Sequence, residues 1–129
     1  VAAALLIVGG GDWMTMVRNS DHPAAEQVRQ RLGDEEMKRR LGIVDPVNYV
    51  GHISPRPVWM LNGRDDRVIP AACAEALHRA AKEPKNVIWY DGGHIPPPAV
   101  VIRVLTQWLN ECLLPRLRAQ QPELQAVGN

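Results

Sequence analysis

Three short apolar runs, each followed by glycine, constrain the fold of this chain more than any other feature. They read VAAALLIV, PVWML and NVIWY, and the glycines that follow them are Gly9, Gly63 and Gly92. Apolar runs of this length, without polar alternation, are typical of strands that are buried on both faces of a parallel sheet. The sequence therefore predicts three parallel strands with glycine at their exits.

Helical periodicity between and after these runs completes an α/β pattern. Apolar residues recur three and four positions apart from Cys73 to Ala81, and again from Val101 to Cys112. Pro115 is expected to stop the second helix, which leaves residues 115–129 as a tail. Strands that alternate with helices indicate the α/β class, with a parallel sheet covered by helices.

Residues 12–53 interrupt this alternation with a polar segment. One helix is expected from about Pro23 to Leu32, and another after Asp34 that ends near Gly42. Such an insertion between two parallel strands is either a crossover or a lid. Its first apolar residues either line an acyl pocket or form the core of the lid, and these are Trp13, Met14 and Met16.

Charge and cysteine usage exclude several classes of function. The net charge is +1, and the basic cluster 38–40 follows the acidic cluster 34–36, so Glu35 is expected to pair with Arg39 and Glu36 with Arg40 on a solvated helix face. No nucleic-acid partner is predicted. The longest apolar run is far shorter than the roughly 20 residues that span a bilayer, so no membrane partner is predicted either.

The two cysteines lack a metal-ligand spacing and are expected to be buried free thiols of a cytoplasmic protein.

Acidic and imidazole side chains follow the second and third strands. Asp65 and Asp66 come directly after the second run, and His94 comes directly after the third. Adjacent parallel strands lie about 4.8 Å apart, so an acid and a histidine at neighbouring strand exits can form a hydrogen bond. Such a pair orients the general base of a nucleophilic hydrolase, although adjacent aspartates also serve as simple turn residues. The other histidines are expected at the surface, and they are His22, His52 and His78.

The segments GRDDRVIP and YDGGH, followed by an amphipathic helix, resemble the C-terminal part of an α/β-hydrolase. They are most similar to the dienelactone-hydrolase and prolyl-oligopeptidase-related esterase branches, as is the preceding DPVNYVGHISPRPVWML. The resemblance covers residues 1–114 and implies that they are the C-terminal portion of one α/β-hydrolase domain, with residues 12–53 as a lid-like insertion.

The resemblance implies roles for individual residues. Gly63, Asp66 and the following Val-Ile-Pro match the family pattern around the catalytic acid, whereas some relatives count the acid three places before the valine, which would select Asp65. His94 matches the catalytic histidine. No Gly-x-Ser-x-Gly or cysteine equivalent occurs, so the nucleophile is absent, and the chain alone is expected to be inactive. No metal or organic cofactor is implied.

The expected function is hydrolysis of a small-molecule ester, less readily of an amide or peptide bond, through an acyl-enzyme. A nucleophile elbow is expected about 15 to 25 residues before Val1. Two alternatives remain open. The chain is a truncated, non-catalytic interaction module that pairs with another copy through its exposed first strand, or the complete protein is an acyltransferase with the same triad.

Overall fold

The computed structural model describes residues 2–120, and a three-stranded parallel sheet forms its centre. The strands are β1 (Ala4–Ile7), β2 (Val58–Gly63) and β3 (Lys85–Tyr90). Their order is β1-β2-β3, and both neighbouring pairs are parallel. The three predicted strands are therefore confirmed, with β1 and β3 at the two edges. Val1, the first residue of the predicted first strand, lies outside the described residues.

In the described part of the chain, six α-helices surround the sheet. They are α1 (Trp13–Asn19), α2 (Pro23–Arg31), α3 (Asp34–Val44), α4 (Ala71–Ala80), α5 (Pro98–Trp108) and α6 (Leu114–Gln120). Two short 3-10 turns, Pro46–Asn48 and Val50–Ile53, lead into β2. Within residues 2–120, every helix is too short or too polar to cross a lipid bilayer.

Both faces of the sheet carry a hydrophobic core, as the unbroken apolar runs predict. All six residues of β2 are buried, because this strand lies between the other two. On one face, Trp59 and Leu61 pack with Val104 of α5. On the other face, Val58 and Met60 pack with Leu77 of α4. A strand that is buried on both faces has no solvent-exposed face, so apolar and polar residues do not alternate along it.

The insertion between β1 and β2 differs from its prediction in detail. It contains three α-helices, whereas the sequence predicted two. The additional helix is α1, which follows the glycines after β1 and has no long apolar stripe by which it could be recognised. The third helix continues through Gly42 to Val44. On its exposed face, Arg39 pairs with Glu36 instead of Glu35, while the expected pair of Glu36 with Arg40 is present.

The last helix does not end at Pro115, so this part of the predicted tail is wrong. A π-helical stretch, Leu109–Leu113, connects α5 to α6, and the Leu114 N–H bonds to the Leu109 carbonyl five residues back. Pro115 is thereby placed in the first turn of α6, where a missing N–H costs least. π-helical segments are rare and occur mostly as single turns inside α-helices, as here. Residues 121–129, the rest of the predicted tail, lie outside the described residues.

A buried polar pair joins α4 to the centre of the sheet. Nε2 of His78 lies 3.0 Å from Oδ1 of Asn62, whose amide Nδ2 donates to the Gly9 carbonyl at 2.8 Å. The prediction that His78 lies at the surface is therefore wrong. Burial, followed by the charge of Lys85, lowers the pKa of His78. The imidazole is accordingly neutral near pH 7 and donates from Nε2 to Asn62.

Candidate active site

The loop after β2 holds the Asp66 carboxylate in one orientation. The Asp66 side chain is fully buried, with 0% of its surface exposed, whereas Asp65 is exposed. Oδ1 of Asp66 accepts hydrogen bonds from the backbone N–H groups of Val68 and Ile69, both at 2.8 Å. An aspartate that bonds the backbone two and three residues ahead is a common turn device. Here both backbone hydrogen bonds go to Oδ1, so Oδ2 is available for another partner.

Oδ2 of Asp66 bonds His94, which lies in the loop after β3. The distance from Oδ2 to Nδ1 of His94 is 3.0 Å, and the histidine side chain is 37% exposed. Because a carboxylate only accepts, the bonded Nδ1 carries a proton, and in the neutral ring Nε2 is the basic nitrogen. The structure thus brings Asp66 and His94 together and leaves Asp65 outside the pair. Their catalytic roles stay a prediction.

The loops after β2 and β3 are joined by backbone hydrogen bonds. The N–H of Arg64 donates to the Tyr90 carbonyl, and the N–H of Asp65 donates to the Gly92 carbonyl, both at 3.0 Å. The Tyr90 hydroxyl donates to the Gly93 carbonyl at 2.6 Å. These bonds set the separation between the two loops, and therefore between the carboxylate and the imidazole.

This close approach requires glycine in both loops. A Cβ atom at Gly63 would lie 2.5 Å from the carbonyl oxygens of Gly92 and Gly93. Gly92 itself has a φ of 144°, a backbone conformation that residues other than glycine rarely adopt. The glycines that mark the strand exits in the sequence are thus structural requirements of the site.

A cavity of about 410 Å³ opens beside His94. Trp13 and Met16 of α1 line it together with residues of α2, α3 and the Asp66 loop, while Met14 is not among its lining residues. The prediction left open whether these side chains form a pocket or a lid core. Trp13 and Met16 contribute to a pocket.

His22 is exposed, as predicted, and it also borders this cavity. Its Nδ1 accepts a hydrogen bond from the Ala24 N–H at 3.1 Å and thereby caps α2. The only sequence signal for this role is its place immediately before Pro23, the first residue of a predicted helix.

Asp45 holds the two ends of the helical insertion together, and no local sequence pattern indicates this. Its buried carboxylate accepts from the backbone N–H groups of Asp12 at 3.1 Å, Trp13 at 2.8 Å and Val47 at 3.1 Å. The start and the end of the helical segment therefore meet at one side chain. Ser20 adds a second attachment, because its hydroxyl donates to the Val68 carbonyl at 2.7 Å in the Asp66 loop.

We expect the Asp45→Ala substitution to lower the free energy of unfolding by about 2 kcal/mol, because three half-buried backbone N–H groups lose a charged acceptor. Urea denaturation measures the change. The control is Asp21→Asn, which removes only an exposed contact with Arg67 and is expected to change stability by less than about 0.5 kcal/mol. Equal stability of the two variants would contradict the anchoring role of Asp45.

Other reactive side chains are engaged elsewhere. The Ser20 hydroxyl donates to Val68 and accepts from the His22 N–H, and the Ser54 hydroxyl donates to the Glu83 carbonyl. Both cysteines are buried, as predicted, and burial raises the pKa of Cys73 to about 11. Its thiol is consequently protonated near neutral pH. Among residues 2–120, no group of three histidine, cysteine or carboxylate side chains is placed to hold a metal ion.

Sequence comparison relates a short part of the chain to known proteins. No family model matches it. The uncharacterized protein YfhR of Escherichia coli K12 is 45% identical over 49 residues, which cover 37% of this chain and 17% of YfhR. YfhR of Escherichia coli O157:H7 matches with the same values. The matched stretch is thus a small part of the length of these relatives.

Two solved structures resemble most of the chain. The esterase domain of a Rhodothermus marinus protein matches with a TM-score of 0.56 and 22% identity, over 83% of this chain and 50% of that one. MGS-MChE2, an α/β hydrolase from a sediment metagenome of the Mar Chica lagoon in Morocco, matches with a TM-score of 0.53 and 18% identity, over 86% and 51%. The chain spans about half of each. Its three parallel strands and surrounding helices therefore have the fold of part of an α/β hydrolase.

Proposed function

We propose that the complete protein hydrolyses esters of small molecules through an acyl-enzyme, with His94 as general base and Asp66 as its orienting acid. One observation carries this proposal: the 3.0 Å contact between Nδ1 of His94 and a buried Asp66 carboxylate that two backbone N–H groups hold in place. The similarity to an esterase domain and to an α/β hydrolase supports the same reaction class.

In this reaction, Nε2 of His94 takes the proton of the nucleophile as its oxygen or sulfur attacks the ester carbonyl. The imidazolium then gives that proton to the departing alcohol, and an acyl-enzyme remains. Water then attacks the acyl-enzyme in the same way, with His94 again as the base. This step releases the carboxylic acid and restores the nucleophile. Throughout, the Asp66 carboxylate accepts from Nδ1, so it holds the ring in the productive tautomer and stabilises its positive form.

The nucleophile would come from a part of the protein outside these 129 residues. Ser20 and Cys73 are engaged in other contacts, and the chain spans only about half of the solved hydrolase structures. The resemblance to dienelactone-hydrolase-type esterases suggests a serine or cysteine on a strand-to-helix turn before β1. On this proposal the present chain is the C-terminal portion of a cytoplasmic enzyme.

Labelling of the complete protein with a fluorophosphonate probe tests the proposal. We expect one labelled residue outside positions 1–129, and a labelling rate that falls by more than about 10³-fold in the His94→Ala variant, because the general base is lost. His52→Ala changes an exposed histidine away from the pair and is expected to label normally. A label on Ser20, or an unchanged rate in His94→Ala, would refute the proposed roles.

An acyltransferase would also be labelled, and the requirement for an acceptor separates it from a hydrolase. We expect acid to form from an ester in water alone. If product forms only when an acceptor alcohol is present, the transferase is the correct assignment.

One observation favours the non-catalytic pairing module as a second candidate. An apolar groove of about 540 Å³ runs beside the edge strand β1, with Leu6, Tyr49 and Ile53 among its lining residues. The remaining strands of a complete hydrolase domain would occupy the same edge. Analytical ultracentrifugation of the complete protein decides the matter, since a stable dimer without esterase activity would favour the pairing module.

A further inference from the structure

The walls of the cavity beside His94 are predominantly apolar. Trp13 and Met16 come from α1, Val28 from α2 and Leu41 from α3, and Ile69 from the Asp66 loop completes the apolar lining. None of its lining residues is an aspartate, glutamate, lysine or arginine. The polar lining residues are Ser20, His22 and His94, and the Ser20 hydroxyl already donates to the Val68 carbonyl. A charged group that enters the cavity loses hydration and meets mostly apolar walls, whereas an apolar group gains by leaving water.

The cavity is also adjacent to the reacting groups. His94 is one of its lining residues, and so are Val68 and Ile69, whose N–H groups hold the Asp66 carboxylate. A ligand group in the cavity would therefore contact the same loop that orients the acid. The volume of about 410 Å³ lies within the range of small-molecule sites.

We propose that this cavity binds an uncharged, apolar acyl or alcohol group of the ester, and that esters with a charge on this group are poor substrates. The inference rests on the proposed ester hydrolysis and adds the class of substrate to it. Aliphatic chains and single hydrocarbon rings are both uncharged and apolar. Short acyl groups such as acetyl leave the cavity largely unused.

Two series of esters given to the complete protein identify the group that enters. In the first, para-nitrophenyl esters vary from acetate to hexanoate, and in the second, acetate esters vary in the alkyl chain of the alcohol. One series is expected to gain about fourfold in kcat/KM for each added methylene, as burial of a methylene predicts. In the series that gains, a carboxylate at the far end of the varied chain is expected to lower kcat/KM at least about 100-fold, as in the para-nitrophenyl monoester of adipate beside the hexanoate if the acyl series is the one that gains. Two flat series, or equal rates for the charged and neutral esters of the series that gains, would overturn the inference.

Filling the cavity gives an independent test. Ala25 of α2 lines the cavity, and Ala25→Phe is expected to abolish the gain with chain length in the series that shows it. Gln27→Phe places the same side chain on the exposed face of the same helix and is expected to retain the gain. Val28→Ala enlarges the cavity and is expected to shift the preference to longer chains, so it serves if Ala25→Phe fails to fold. An unchanged preference in both cavity variants would overturn the inference.

A probe that cannot be hydrolysed separates this inference from the proposed function. Methyl hexyl ketone is titrated into the complete protein by calorimetry, beside the same ketone with a carboxylate in place of its terminal methyl group. We expect only the neutral ketone to bind, and Ala25→Phe to prevent it. Selective binding without esterase activity would refute the proposed function and support the cavity assignment. Esterase activity without selective binding would refute the cavity assignment alone.

Discussion

Asp66→Asn is expected to lower kcat for ester hydrolysis by about 10⁴-fold in the complete protein. The asparagine amide would present a donor, or a weaker acceptor, where the carboxylate now accepts from Nδ1 of His94 at 3.0 Å. The ring would then favour the tautomer with a proton on Nε2, which cannot take a proton from the nucleophile. Steady-state kinetics with a neutral ester measure the loss, and circular dichroism verifies that the variant is folded.

Asp65→Asn is the matched control, because it makes the same chemical change one residue away. The Asp65 side chain is exposed and is not hydrogen-bonded to His94. Its substitution is expected to change kcat by less than about threefold, as for most exposed positions. If the Asp65 variant lost activity and the Asp66 variant kept it, the acid would have to be reassigned to Asp65.

Gly63→Ala is expected to lower the free energy of unfolding by about 3 kcal/mol. The added methyl group would lie 2.5 Å from two carbonyl oxygens of the β3 loop and 3.0 Å from Cζ of Tyr90. Relief of this overlap requires the loops that carry Asp66 and His94 to separate, so activity should fall as well. Urea denaturation gives the stability, and kcat measured well below the unfolding midpoint gives the effect on the site.

Gly42→Ala is the control for the stability measurement. Gly42 lies within α3, and a Cβ atom there would meet nothing within 4 Å. Alanine is favoured over glycine in a helix, so this substitution is expected to raise stability by about 0.5–1 kcal/mol. If Gly63→Ala were as well tolerated as Gly42→Ala, the close approach of the two loops would not be a requirement of the fold.

Local sequence patterns were sufficient to predict the sheet and the proximity of Asp66 and His94. Each apolar run is contiguous, and parallel strands bring their carboxyl ends to one edge without further information. The choice between Asp65 and Asp66 depended on the resemblance to the hydrolase pattern. The structure adds the physical difference, since Asp66 is the one whose carboxylate bonds the backbone of its own turn.

Features that depend on distant contacts were not predicted. Asp45 bonds backbone groups more than 30 residues earlier in the chain, and no local pattern encodes that contact. His78 looked like a surface residue because its buried partner, Asn62, belongs to another element. The continuation of the last helix past Pro115 depends on a π-helical turn, which apolar periodicity does not reveal.

The three hydrogen bonds to Asp45 bear on how an enzyme with the proposed function would diversify. Because the helical segment from Trp13 to Val44 begins and ends at this one carboxylate, it is a cassette whose two ends are held side by side. The cost of closing a longer loop grows only slowly with its length, so such a cassette tolerates insertions and deletions. Exchange of the segment replaces the walls contributed by α1, α2 and α3, while Asp66 and His94 keep their scaffold. If the proposed function holds, new substrate ranges would arise here by exchange of the whole segment, with Asp66 and His94 unchanged.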